Sequence, residues 1–111
     1  ANYSFKNIKE ENNRFVSIQF SLFPSGMCSN IYQVVFLLDI IRNESIYFYI
    51  SNEQECYNEY AEVASNSECK ATFSIKGNIL QVKSTKKPDD GLYCIESGTY
   101  YYESGKFIKE K

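Results

Sequence analysis

Apolar and polar residues alternate along most of this chain, and the dominant period is two. In "RFVSIQF" (14–20), Val16, Ile18 and Phe20 share a face. In "SIYFYIS" (45–51), Ile46, Phe48 and Ile50 share a face, with Tyr47 and Tyr49 opposite; "ATFSI" pairs Phe73 with Ile75, and "ILQVK" pairs Leu80 with Val82. Period two is the signature of a pleated strand with one buried face. "VVFLLDII" (34–41) adds a strand that is apolar on both faces. With Tyr32, Val34, Phe36 and Leu38 toward the core, Gln33, Val35 and Leu37 point outward. Turn clusters separate the runs: "FPSG" (23–26), "IRNES" (41–45), "KGN" (76–78), "KPDDG" (87–91) and "ESG" (103–105). Only 54–69 escapes the pattern and reads as an irregular connection. Short strands at this spacing predict an all-β sandwich or barrel.

The 111 residues suffice for one domain, 1–111, closing a single core. Ten Tyr and eight Phe provide material for that core and argue against disorder. A net charge of -2 gives no field to attract a polyanion, so nucleic acid is not an expected partner. The chain has no His, which removes the commonest general base, the Ser-His and Cys-His nucleophile pairs and most catalytic zinc sites. The densest acids, Glu53, Glu55, Glu59 and Glu62, read as a solvated surface, and no Gly-rich phosphate loop is present. The expectation is a protein that is not an enzyme, with no catalytic, cofactor or metal residues. The longest apolar run, 34–41, is too short to span a bilayer and carries Asp39, so no membrane insertion is expected.

Four cysteines, Cys28, Cys56, Cys69 and Cys94, contain no C-x-x-C pair. An even count in a short chain favours two disulfides in an oxidising compartment. The sequons Asn2-Tyr3-Ser4 and Asn43-Glu44-Ser45 make Asn2 and Asn43 candidate glycosylation sites, and Ala1 stands where a processed secretory protein or a trimmed chain would begin. A secreted or extracellular protein is expected.

"LQVKSTKKPDDGLYCIE" (80–96) carries the most specific motif. Leu80, Val82, Thr85, Asp89, Gly91 and Tyr93 fall on the spacing of the E and F strands of an immunoglobulin domain, which this stretch resembles. The resemblance spans roughly 14–110 and implies an immunoglobulin-like antiparallel β-sandwich of V-type. Tyr93 would be its corner tyrosine, and Lys70 the partner of the corner acid Asp89. Ile95 stands where the family has its second disulfide cysteine. Val16-x-Ile18-x-Phe20 matches the B strand, with Phe20 where the first would be. The resemblance therefore implies a domain that lacks the B-F disulfide and packs Phe20 against Ile95, with Phe36 or Val34 in place of the family's tryptophan.

Four cysteines allow three pairings. Cys56 with Cys69 would close the irregular connection, worth about 3 kcal/mol for that length in the chain-entropy model, and would leave Cys28 with Cys94. On the implied fold, the outward Val35, Leu37, Tyr47 and Tyr49, together with Tyr100, Tyr101 and Tyr102 in an F-G loop, form a protein-binding patch. Ten Lys against two Arg, with ten Asn and eleven Ile, suggest an A/T-rich genome. Together with the resemblance this implies a secreted, poxvirus-like immune modulator, a decoy for a host immune-cell receptor. The alternative is a homophilic or oligomerising ectodomain, forming a homodimer.

Overall fold

The computed structural model describes residues 2–24, 26, 28–60 and 62–110; Ser25, of the expected turn at 23–26, lies outside them. Eight strands follow one another: β1 (Asn2–Glu10), β2 (Phe15–Phe23), β3 (Cys28–Asp39), β4 (Glu44–Tyr57), β5 (Val63–Lys76), β6 (Ile79–Ser84), β7 (Gly98–Glu103) and β8 (Lys106–Lys109). There is no helix among the described residues. Each strand pairs antiparallel with the next, so the order is β1 to β8 without a crossover. The Greek-key crossings that an immunoglobulin arrangement carries are absent from these pairings.

β5 changes partner midway. Val63–Lys70 pairs with β4, and Ala71–Lys76 pairs with β6. The sheet can therefore turn between its halves, and side chains of both meet in one core. Phe15, Val35, Leu37 and Phe48 come from β2 to β4; Ala71, Ile75, Leu80, Val82, Tyr100 and Tyr102 come from β5 to β7. The edge of β4 that β5 leaves is approached by the irregular segment 85–97, where the Ile95 amide donates to the Tyr49 carbonyl (2.8 Å) and the Tyr93 amide to Asn52 Oδ1 (3.1 Å). Asn52 is buried and held in turn by Asn30 Oδ1 (3.2 Å).

Turns form in the expected clusters at 41–45, 76–78, 87–91 and 103–105, and a further bend, not expected, lies at 12–14. Asn12 Oδ1 accepts from the amides of Arg14 (2.8 Å) and Phe15 (2.9 Å). Asp39 Oδ1 accepts from those of Ile41 and Arg42 (both 3.1 Å). Asn43 enters the left-handed region (φ 56°), which Asn tolerates better than most residues. The expected irregular stretch 54–69 is instead strand on both sides of a turn, where Asn58 Oδ1 accepts from the amides of Tyr60 (2.9 Å) and Glu62 (3.0 Å). Its strands are mostly polar and exposed, so hydrogen bonding rather than burial carries them.

Both disulfides differ from the expected pairing. Cys28 is bonded to Cys56 and Cys69 to Cys94, with Cα separations of 4.2 and 6.2 Å. Cys28 and Cys56 face each other in the β3–β4 register. Cys69 and Cys94 are both buried, packed with Leu92, and tie the 85–97 segment to β5.

Candidate functional site: an aromatic outer face

Residues directly opposite in an antiparallel pair share a face. On one face of β1 to β4, Ile8, Phe5 and Tyr3 stand opposite Ile18, Phe20 and Leu22. These in turn stand opposite Phe36, Val34 and Tyr32, and β4 adds Tyr47 opposite Phe36 and Tyr49 opposite Val34. Eight rings then run across this face in an unbroken series, with centroids 5.4–6.1 Å apart: Tyr3 and Phe5 on Phe20, Phe20 on Phe36, Phe36 on Tyr47, Tyr47 on Tyr49, and Tyr49 with Tyr32 and Tyr93. Spacings of this size are those of edge-to-face and tilted aromatic pairs.

Nothing in the described chain covers these rings fully. Tyr3 is 71% exposed, Tyr47 59%, Tyr93 59%, Phe5 57% and Phe36 37%. Val34, beneath the larger neighbours, is buried. Among the paired residues of the face the one ionisable side chain other than tyrosine is Glu10, opposite Val16 at the β1 margin; Lys6 is exposed and unpaired at the β1 bulge between Phe5 and Asn7. A groove of about 400 Å³ between β4 and the 85–97 segment, lined by Tyr47, Phe48, Tyr49, Leu92, Tyr93, Cys94 and Ile95, opens beside the rings. Tyr32 has its phenol pushed above the ordinary range, first by burial and then by Tyr93 and Tyr49.

The structure redistributes the expected site residues. Tyr47 and Tyr49 lie on the outer face as expected. Val35 and Leu37 are corrected to the core, each 1% exposed. Phe20 and Phe36, expected in the core, are corrected to the outer face. Phe20 therefore does not pack on Ile95, which does lie against the core as expected. Tyr100, Tyr101 and Tyr102 form strand β7 rather than a loop; Tyr100 and Tyr102 point inward, and Tyr101 is exposed on the far side.

Tyr93 is no buried corner residue, since Leu92 and Cys94 take the inward positions of its segment. Asp89 and Gly91 do occupy turn conformations (φ 60° and 72°), yet the acid that organises the turn is Asp90. It pairs with Lys86 and accepts from the amides of Lys87 (2.8 Å) and Leu92 (2.9 Å). Lys70 pairs with Glu68 (3.9 Å) rather than with Asp89. The sequons Asn2 and Asn43 are both exposed, Asn2 on the face opposite Tyr3.

Tyr3, Phe5 and Asn52 were not singled out from the sequence; Tyr32, expected toward the core, is corrected to the outer face, where it meets Tyr49 and Tyr93. The alternation Tyr3-x-Phe5 was a signal for the first two. The burial of Asn52 depends on the 85–97 segment, which local pattern does not reveal. Among the described residues no group of His, Cys, Asp and Glu is placed to hold a metal ion, and no helix is long and apolar enough to cross a membrane. No protein-family model, curated protein or solved structure matches the chain.

Proposed function

We propose that this chain is an extracellular protein-docking module, the two halves of its meander being the layers of a β-sandwich and the aromatic face of β1 to β4 its contact surface. The observation that carries the reading is the continuous series of eight rings, five of them more than a third exposed. Soluble chains rarely leave a contiguous apolar area of this kind open, and such areas mark interaction sites. Tyrosine suits the role because it supplies large contact area with few rotatable bonds. The two disulfides support an oxidising compartment. Kinship with V-set domains, and a viral decoy aimed at an immune-cell receptor, rest on the spacing at 80–93 and on composition; the docking reading stands without them.

A panel of extracellular receptor ectodomains, the chain itself included, tests this by biosensor binding. Aromatic anchors lose about 2 kcal/mol or more on truncation, so Tyr47→Ala and Tyr93→Ala are each expected to weaken binding roughly thirtyfold. Tyr101→Ala, on the opposite side, is expected to leave it unchanged. Binding lost with Tyr101→Ala and kept in both ring variants would place the contact elsewhere.

A further inference from the structure

We infer that the occupant of the aromatic face is a second copy of this chain, packed face to face about a two-fold axis; this rests on the face being a docking surface. Area is the first support. At the 150–250 Å² that an aromatic side chain can bury, the five rings more than a third exposed offer roughly 500 Å² together. Ile8, 62% exposed, and the half-buried Phe20, Tyr32 and Tyr49 extend the patch toward the roughly 800 Å² per partner of a stable interface.

Charge is the second support. A foreign partner is commonly selected by complementary charges, and this face offers almost none to pair with. For two copies of a chain with net charge -2, it is the surface on which like charges do not meet.

Geometry is the third. β2 and β3 lie at the middle of the four strands, so a two-fold axis there brings Phe20 and Phe36 against their own counterparts, an isologous contact. Twisted sheets pack this way at about 10 Å separation with interdigitated side chains. Tyr3, Tyr47 and Tyr93, nearer the margins, can keep their hydroxyls in water while their rings are covered.

Sedimentation equilibrium of the whole chain between about 1 and 100 µM tests the inference. Expected is a mass rising from one chain to two. Tyr47→Lys and, separately, Phe5→Lys should weaken the dimer at least roughly thirtyfold, while Tyr101→Lys should leave it intact. Two results overturn it: a single-chain mass at every concentration, or a dimer that survives both ring variants. If the chain stays single but binds a receptor ectodomain, or vesicles of phosphatidylcholine, through the same rings, the second-copy inference fails. The ectodomain result keeps the protein-docking reading, and the vesicle result replaces it.

Discussion

Asp39→Asn is expected to destabilise the fold by about 3 kcal/mol, roughly 10–20 °C in Tm, because it removes the buried partner of a part-buried ion pair together with the acceptor of the β3–β4 turn. Asp39 is 2% exposed. Its Oδ2 accepts from Arg14 Nε (3.1 Å) and Nη2 (2.9 Å), while Oδ1 holds the β3–β4 turn. The Arg14 guanidinium also lies over the rings of Tyr102 (4.9 Å) and Phe15 (5.3 Å). The Tyr102 hydroxyl donates to Glu44 Oε2 (2.7 Å), and burial first, then Glu44 and Asp39, push that phenol well above its ordinary range. An amide at position 39 would turn an NH₂ group or a weakened acceptor toward Arg14, leaving a partly buried cation without its counter-charge.

The same pair sets an acid dependence. The bond from Arg14, opposed by burial and reinforced by the turn amides, holds the Asp39 carboxyl down from 3.8 to about 2. A carboxylate depressed in the folded state contributes stability that is complete above its unfolded value and is lost as pH falls through the folded one. Asp90, held at about 2 first by Lys86 and then by two amides, acts in the same direction. Thermal melts are therefore expected to be level above about pH 5 and to fall between about pH 4 and 2. In Asp39→Asn that fall should be shallower, though still present through Asp90. An equally steep fall in the variant would contradict the role given to Asp39.

Leu37→Ala and Phe36→Ala, adjacent residues on opposite faces of β3, are expected to part sharply. Leu37 is 1% exposed in the main core, so its truncation should cost about 2–5 kcal/mol in urea denaturation. Phe36 is 37% exposed and loses chiefly its ring contacts with Phe20 and Tyr47, so about 1 kcal/mol is expected in the dilute chain. The reverse order of losses would mean that Phe36 faces the core.

That contrast marks where the sequence was legible. Strand class, the runs around 14–20, 45–51, 71–75 and 79–84, and most turns follow from period two and turn chemistry. The phase of β2 and β3 did not. Val16, Ile18, Phe20 and Leu22 make the more apolar side of β2, so local pattern assigns them inward. Burial instead falls on the Phe15 side, where Ser17 is satisfied by Glu11 (2.6 Å) and Ser21 by Gln33 (2.9 Å). A strand apolar on both faces carries no phase of its own; the meeting of β2 to β4 with β5 to β7 sets it.

The disulfides were partly within reach. Once the turn at 40–43 is placed, counting back along β3 and β4 with one irregularity brings Cys56 opposite Cys28. The immunoglobulin-like spacing of Asp89, Gly91 and Tyr93 marked a real turn, but the residues after it cross beside β4 instead of forming a strand. Tyr93 thereby joins the aromatic series.

The central claim, that the ring face of β1 to β4 is an open docking surface, is tested most directly by hydroxyl-radical footprinting read by mass spectrometry across a dilution series. Expected at high dilution is rapid modification of Phe5, Phe36, Tyr47 and Tyr93, with Leu37, Tyr100 and Tyr102 protected. As the chain is concentrated or a bound ectodomain is added, protection should spread over those four rings while Tyr101 stays reactive. Rings that remain protected at every dilution, with Val35 and Leu37 modified in their place, would show that this face is the interior and would contradict the claim.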